Sequence, residues 1–366
     1  MTHLAMILPS LDAIGGAERQ AVLLAKALAA RGMQVTVICL AGEPNATTRD
    51  LDASRVGWLS LGMRKAWIDP RGWSRYLEWQ TANSPQIVHT HLPHATWFAR
   101  CIRLFSPVRV QIDTIHTTHA GGAARRLTYR LTHRLTSRVT CVSAAVLKSA
   151  ISDRLAPEKD LEVVPNGVAL APVSGSPTAP VSFLWLAVGR LAPVKDYPTL
   201  LRAFARLPAE PRLTIAGSGP GEQSLRHLAA ELGVASRVHF AGFQPDIQPF
   251  LLAADAFVLS SLWEGLPVSV LEASAAALPC VVTDGAGTRE AILPSETGFL
   301  TPVGDPVALA AAMSEIMTMT PWQRREMGLR ARQFVEERYS LPAIADRWQE
   351  LYSRLLTKHP QPSRMG

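Results

Sequence analysis

Short apolar runs alternate with longer stretches of helical period along most of the chain. In the first half the runs are LAMIL at 4–8, VTVICL at 35–40, QIVHTH at 86–91 and VRVQIDTIH at 108–116. Between the first two, residues 17–31 place Val22, Leu23, Ala27 and Leu28 on a helical repeat that stops at Gly32, the expected C-terminal signal. This β-α-β alternation predicts a parallel sheet covered by helices. A second series begins with FLWLAVG at 183–189 and continues with RLTIAG at 212–217, VHFAG at 238–242, AFVLSS at 256–261 and PCVVTD at 279–284. The expected fold class is therefore α/β, with two Rossmann-like, doubly wound domains.

The intervening APVSGSPTAP at 171–180 is rich in Pro, Ser and Gly and lacks periodicity, so it predicts a linker. The expected organisation is a first domain over 1–172, a linker over 173–182 and a second domain over 183–340. A polar helical stretch follows Pro321 to about Arg338. A last amphipathic helix, 341–357, is expected to cross back to the first domain, ahead of a polar tail at 358–366. No repeat of 20–50 residues suggests a solenoid.

Composition narrows the class. At 366 residues and 48% hydrophobic, the chain suits two domains of ordinary size. Cys39, Cys101, Cys141 and Cys280 lie far apart with no CxxC pairing, which suggests neither a zinc site nor a disulfide framework and fits a reduced cytoplasmic compartment. The N-terminal apolar run leads straight into a glycine loop, without the charged flank or cleavage site of a signal peptide. No apolar run reaches the roughly 18 residues that span a bilayer.

The net charge of +7 is unevenly placed: residues 1–170 hold 20 basic against 12 acidic side chains, and 171–366 hold 17 against 18. A basic first half points to an acidic partner. Nucleic acid is disfavoured, because no helix-turn-helix, zinc-finger or RNP-like pattern accompanies the charge.

Several loops at predicted strand ends carry candidate chemistry. Gly15-Gly16-Ala17-Glu18 follows the first strand and opens the first helix, where missing side chains let a phosphate approach backbone amides. Taken alone it is equally a tight turn, since the full G-x-G-x-x-G spacing is absent and no acidic residue ends the second strand. Val188-Gly189-Arg190 ends a strand and Lys195-Asp196 follows, so two cations share a loop at the edge where open α/β sheets bind ligands. They could neutralise charge on a departing diphosphate, the task a metal otherwise performs, or be ordinary surface charges.

The sharpest element is Glu264-Gly265-Leu266-Pro267-Val268-Ser269-Val270-Leu271-Glu272, a strand–loop–helix junction. Pro267 near the helix start and Gly265 before it would leave several backbone N–H groups, those of Leu266 and Val268 among them, facing a diphosphate. Glu264 could accept hydrogen bonds from sugar hydroxyls, and Glu272, about two turns on, could reach a ribose diol. An acid/base pair of the glycosidase kind is the weaker alternative, as no aromatic platform surrounds the pair. His116 follows a strand and is a candidate hydrogen-bond partner of a sugar. His89-x-His91 with a distant His116 does not reproduce a zinc spacing, so no metal is expected; His89 and His91 are equally read as structural.

Taken in order, GGAER at 15–19, VHTH at 88–91, TIH at 114–116, CVS at 141–143, VVPNGV at 163–168, VGRLAPVKD at 188–196, IAGSGP at 215–220 and SLWEGLPVSVLEA at 261–273 resemble glycosyltransferase family 4. The resemblance covers about residues 3–355. It implies a GT-B fold whose two domains face across a cleft, a nucleotide-sugar donor, retention of anomeric configuration, and neither metal nor other cofactor. It further implies that Arg190 and Lys195 hold the donor pyrophosphate, Glu272 the ribose, and Glu264 with the following amides the sugar. Gly15, Gly16 and Gly217 would lie against the donor, and His116 would contact the sugar near the reacting centre. The loop TDGAGTRE at 283–290 departs from the family's usual form, which leaves its donor contact open.

The resemblance makes the expected activity transfer of a hexose or N-acetylhexosamine, from UDP in the first instance, to a glycan or lipid-linked acceptor in cell-surface polysaccharide or lipopolysaccharide synthesis. The competing classes are a nucleotide-sugar epimerase or hydrolase on the same architecture and a noncatalytic sugar-nucleotide-binding subunit. Two basic clusters make an anionic membrane surface a candidate partner, with peripheral attachment at the inner face of the plasma membrane. Arg126, Arg130, Arg134 and Arg138 recur every four residues and would form one helical stripe. Arg64, Lys65 and Trp67 with Arg71, Trp73, Arg75 and Trp79 mix cations with indoles, as a lipid headgroup interface does.

Overall fold

A computed structural model describes residues 2–12, 15–64, 69–119, 121–170, 173 and 182–360. The expected linker lies outside these except at its ends, as do Lys65, Trp67 and the end of the tail. The chain forms two compact units, Met1–Gly167 with Leu341–Gly366, and Val168–Ser340.

The first unit contains β1 (His3–Leu8), α1 (Gly16–Ala30), β2 (Gln34–Cys39), α2 (Ala46–Ala53), β3 (Gly57–Ser60), α3 (Pro70–Asn83), β4 (Ile87–His91), α4 (Pro93–Ile102), β5 (Val110–Ile115), α5 (Ala123–Thr132), β6 (Arg138–Cys141), α6 (Ala144–Ser152) and β7 (Leu161–Val163). Its strands are all parallel, in the order β3-β2-β1-β4-β5-β6-β7. Alternate residues of β1 leave the pleat on opposite faces. Leu4, Met6 and Leu8 enter one core with the apolar stripe of α1, and Ala5 and Ile7 enter the other with Phe98 and Ala99 of α4. β1 is buried throughout because a parallel strand with helices on both faces meets no solvent.

The second unit contains β8 (Leu184–Val188), α7 (Tyr197–Phe204), β9 (Arg212–Ala216), α8 (Glu222–Glu231), β10 (Val238–Gly242), α9 (Gln248–Ala253), β11 (Ala256–Leu259), α10 (Val268–Ala275), β12 (Cys280–Thr283), β13 (Gly298–Thr301), α11 (Pro306–Thr318) and α12 (Pro321–Tyr339). Its parallel order is β10-β9-β8-β11-β12-β13. Both sheets thus reverse strand order once near the middle, between β1 and β4 and between β8 and β11. Such switch points open a crevice at the strands' carboxyl ends.

The final helix, α13 (Leu341–Lys358), belongs to the first unit. Ile344, Ala345, Trp348, Leu351, Tyr352 and Leu355 complete the core that contains α1. Arg31 Nη1 pairs with Asp346 at 2.8 Å, and Arg354 Nη2 with Glu162 at 2.6 Å.

Two expectations about surface charge need correction. The four-residue arginine spacing does not lie on one helix: α5 stops at Thr132, Arg134 falls in a 3-10 turn and Arg138 opens β6. Several of these cations are also engaged. Arg126 Nε is 3.8 Å from Asp153, Arg130 donates to the Asp153 carbonyl at 2.8 Å, and Arg138 donates to the Lys159 carbonyl at 2.6 Å. The two described indoles of the second cluster, Trp73 and Trp79, turn inward. Trp73 stacks edge-on with Phe98 and Phe105, Trp79 packs beside His3 and Tyr76, and both line the core containing α4. Their large apolar area is better satisfied there than in water.

Candidate active site

In the second unit, the predicted residues gather at the carboxyl ends of β8 and β11, on either side of the switch point. β8 runs into Gly189 and Arg190; Arg190 is exposed, and no partner of its side chain is found among the described residues. Lys195 ends the 3-10 turn that precedes α7. β11 runs into the loop carrying Glu264, and α10 follows from Pro267. Sequence placed Lys195 with Arg190 as a phosphate cation. In the structure it also meets the acid expected on the sugar side: Lys195 Nζ donates to Glu264 Oε1 at 2.6 Å, with the side chains 17% and 16% exposed. Ser261 Oγ donates to the same oxygen at 2.7 Å. An ammonium has three protons to give, so the contact to Glu264 leaves Lys195 further donors for an anion.

The backbone around this pair is built by glycines in close contact. A Cβ on Gly217 would stand 2.0 Å from the Gly189 carbonyl oxygen, so the loops after β8 and β9 touch main chain to main chain. The loop after β12, uncertain from sequence, supports the Glu264 loop. Glu264 N–H donates to the Ala286 carbonyl at 2.8 Å, and a Cβ on Gly287, at φ +82°, would lie 2.3 Å from the Glu264 carbonyl. Only glycine adopts that conformation there without strain or collision. Tyr197 fixes the other side, donating its hydroxyl to the Gly189 carbonyl at 2.9 Å.

α10 starts without a side-chain cap, because Pro267 holds the capping position. Its first amides and the positive end of its dipole therefore suit an anion. Gly265, Leu266 and Pro267 are buried beneath that start, Val268 is the first helical residue, and the half-buried Glu272 lies one turn further along α10.

In the first unit, the Gly15 amide is already engaged: it donates to Glu18 Oε2 at 3.1 Å. That self-contained cap accounts for part of the GGAER pattern without a ligand. Gly16 differs, since a Cβ there would meet nothing within 4 Å among the described residues.

The three histidines sit at the ends of β4 and β5. His89 Nδ1 is 2.8 Å from the Tyr352 hydroxyl and its Nε2 is 2.7 Å from Thr114 Oγ1, which continues to Thr140 at 2.7 Å. His89 is thus fully partnered, and its role is structural. His91 Nδ1 and His116 Nε2 are 2.9 Å apart. Among the described residues, His91 Nε2 and His116 Nδ1 are buried without a hydrogen-bond partner, beside a small pocket also lined by Gln20, Thr114, Asn166 and Trp348. One proton is shared across each neutral His–His contact. If His91 donates, His116 Nδ1 carries hydrogen; if His116 donates, its Nδ1 is an acceptor.

Burial disfavours the charged imidazoles. It pushes His89 down to about 3, helped by His116, pushes His116 down to about 4, and holds His91 well below the ordinary range. The unfolded chain takes up protons near pH 6.5 that these folded side chains refuse. Stability is therefore complete above about pH 6.5 and falls as the pH drops toward about 4, by up to about 1.4 kcal/mol per pH unit for each histidine. Urea midpoints measured between about pH 7.5 and pH 5 should fall accordingly, and His89→Asn should reduce the slope; a flat profile would contradict the buried neutral cluster. No group of three or more His, Cys, Asp or Glu side chains arranged to hold a metal occurs among the described residues.

Sequence reasoning missed Tyr197, Ser261, Gly287 and Gly285, where a Cβ would stand 2.6 Å from the Leu262 carbonyl oxygen, as supports of the loops that hold the Lys195–Glu264 pair, and Trp348 and Tyr352 beside the histidines. The two glycines in TDGAGTRE were a usable signal. The distant aromatics left none, because only α13's return brings them near.

Comparison with known proteins accords with this geometry. Residues 14–171 match the family described as Glycosyltransferase Family 4, and residues 178–334 match Glycosyl transferases group 1. The lipopolysaccharide core biosynthesis glycosyltransferase LpsE of Rhizobium meliloti is 35% identical over 175 residues, which are 48% of this chain and 50% of that protein. The UDP-Gal:alpha-D-GlcNAc-diphosphoundecaprenol alpha-1,3-galactosyltransferase of Escherichia coli is 28% identical over 60% of this chain and 63% of its own. The chain spans about half the length of the curated relatives it matches. A glycosyltransferase from Rickettsia africae superposes with a TM-score of 0.83 at 18% identity, covering 97% of this chain and 98% of that one. Anabaena Alr3699/HepE, solved with UDP and glucose, gives 0.81 at 19% identity over 97% and 100%. Two parallel sheets in Rossmann-like order are the GT-B fold, and with both halves matched the chain belongs to the group 1 glycosyl transferases of glycosyltransferase family 4.

Proposed function

We propose that the protein transfers a hexose or N-acetylhexosamine, with retention of configuration and without a metal, from a UDP-sugar to a glycan or lipid-linked acceptor of cell-surface polysaccharide or lipopolysaccharide. The observation that carries this reading is the Lys195–Glu264 pair at the switch point of the second sheet, beside the uncapped start of α10 and the exposed Arg190. A departing diphosphate needs positive charge; Arg190, Lys195 and the first amides of α10 supply it without a metal. Glu264, held by Lys195 and Ser261, can accept hydrogen bonds from sugar hydroxyls, and Glu272 from the ribose. The roles left to the first unit are His116 toward a sugar hydroxyl and Gly16 toward a phosphate oxygen.

In the proposed step the bond from the anomeric carbon to the diphosphate oxygen breaks, and the acceptor oxygen bonds to that carbon on the same face. The acceptor's proton passes to the leaving diphosphate, so no protein nucleophile is required. The relatives named for lipopolysaccharide core synthesis and for a diphosphoundecaprenol acceptor support the acceptor class, and free, dispersed cysteines among the described residues suit the cytoplasm. Epimerase, hydrolase and noncatalytic readings gain nothing specific from the site.

The test is thermal melting with UDP-, GDP- and ADP-sugars in EDTA. Ligand at about 100 times its Kd should stabilise by about 2.7 kcal/mol, several degrees of Tm. A UDP-selective shift without magnesium supports the donor assignment, and a shift that needs magnesium overturns metal independence. Anomeric analysis of the product then decides retention.

A further inference from the structure

We propose that one buried water joins Gln20 to the His91–His116 pair, and that Gln20 and His91 thereby fix the proton of His116 on Nδ1, the ring nitrogen left for a sugar hydroxyl. Gln20 lies in the second turn of α1, His91 ends β4 and His116 follows β5. All three line a cavity of about 20 Å³ that α13 closes with Leu341, Ile344 and Trp348. That is room for one water and too little for a sugar ring. Gln20 is 5% exposed and His91 2%. Among the described residues, Gln20 Nε2 is buried without a hydrogen-bond partner, as are His91 Nε2 and His116 Nδ1. Leaving such atoms unpaired in a protein interior is costly, and a water that both gives and takes hydrogen bonds removes the cost.

The amide of Gln20 sets the direction of the chain of bonds. Its Oε1 accepts from the Gly167 N–H at 3.0 Å, so the amide cannot turn over without losing that bond, and Nε2 is left as a donor. A water that accepts from Nε2 has two hydrogens to give. Of the buried side chains that line the cavity, Thr114 is already engaged through Oγ1 by His89 Nε2 and Thr140 Oγ1, both at 2.7 Å. Leu24, Val142, Val164 and Ile344 offer no acceptor and Trp348 only a donor, which leaves His91 Nε2 to accept. Burial keeps both rings neutral, and a neutral imidazole carries one hydrogen. His91 then holds its own on Nδ1 and donates it across the 2.9 Å contact to His116 Nε2. The hydrogen of His116 is thereby placed on Nδ1.

Gln20 and His91 act through His116 and are positioning residues. Without the water and Gln20, the two hydrogen arrangements of the histidine pair have nothing to separate them, and His116 Nδ1 would meet a sugar hydroxyl as a donor in one and as an acceptor in the other. Gln20 directly follows GGAER, so the helix start that offers Gly16 to a phosphate oxygen also orders the hydrogen on the candidate sugar-contacting histidine. The catalytic consequence rests on the role proposed above for His116, while the position of the hydrogen is read without turnover.

The experiment is heteronuclear NMR of the full chain with isotope-labelled histidine, in which ring-nitrogen shifts tell protonated from bare nitrogens and His116→Asn identifies the His116 signals. The wild type should show His116 protonated on Nδ1 and bare on Nε2. Gln20→Met and His91→Phe should each give a mixture of the two forms, lower kcat about tenfold, and keep the Tm shift that UDP alone produces. The His89 ring, bonded to Tyr352 and Thr114, should keep its signals, which a general disturbance of the sheet end would move. A high-resolution crystal structure of the unliganded wild type should show a water within hydrogen-bond reach of Gln20 Nε2 and His91 Nε2, and this decides the matter if a variant fails to fold. His116 protonated on Nε2 in the wild type, an unaltered tautomer in both variants, or a cavity without that water overturns the proposal. If the wild type shows the tautomer and the water but transfers no sugar, the transferase reading fails and the relay stands.

Discussion

Lys195→Ala should lower kcat/KM for glycosyl transfer by about a hundredfold or more, the range for loss of one preorganised charge at a transition state. The change does two things at once. It removes an ammonium from the proposed leaving-group site, and it leaves Glu264, now bonded at 2.6 Å, as a poorly exposed carboxylate without its cation. That carboxylate would then repel the diphosphate it stands beside. Glu264→Ala should lower kcat comparably by a different route, because Lys195 stays to bind phosphate and the sugar loses its acceptor. Glu264→Gln preserves a carbonyl oxygen for Ser261 and Lys195 and should fall between. Initial rates against donor concentration, with Tm held near the wild-type value, check all three. Near-normal rates in both alanine variants would remove the site assignment altogether.

The largest effect on stability is expected from Arg100→Met. Arg100 Nε pairs with Asp113 Oδ2 at 2.8 Å, with the side chains 0% and 1% exposed. Its Nη1 donates to Thr132 Oγ1 at 2.8 Å and the Tyr129 carbonyl at 3.2 Å, and its guanidinium lies over the Tyr129 ring. One side chain on α4 thereby joins the middle of β5 to the base of α5. Replacing it leaves Asp113 charged and buried, with Thr90 Oγ1 at 2.7 Å as a neutral partner. Breaking such a pair from one side costs about 3–5 kcal/mol. Replacing both partners, in Arg100→Met/Asp113→Leu, should recover much of the loss, since an apolar pair avoids the desolvation of two ions. Denaturant unfolding of the three proteins decides this; a single-variant loss under about 1 kcal/mol would mean that water reaches Asp113.

Much of the fold was legible because central parallel strands write themselves as apolar runs. β4, β5 and the first five strands of the second unit lie within the runs read from sequence, and β1 and β2 each begin one residue before theirs. β3, β6, β7 and β13 did not announce themselves, since each has only three or four residues and most are partly exposed. The glycine loops and the Glu264–Glu272 element were legible for a related reason: a turn at a strand end has few solutions. The contacts that organise these loops were not. Lys195 and Glu264 stand 69 positions apart and His89 and Tyr352 263 apart, and only the completed sheets bring them together. The arginine stripe misled because spacing assumes a helix that continues, whereas the chain turns into β6.

The return of α13 also sets an order of events during synthesis. The second unit, Val168–Ser340, is translated between the first sheet and the helix that finishes it, an interval of roughly 10–30 s at about 5–20 residues per second. Until then His89 lacks the Tyr352 hydroxyl, and the face of the sheet that Trp348 and Leu351 will cover is open to water. A nascent chain that has made every strand of its first sheet is still incomplete there. That uncovered face is where a ribosome-bound chaperone would find its binding surface until α13 has been made.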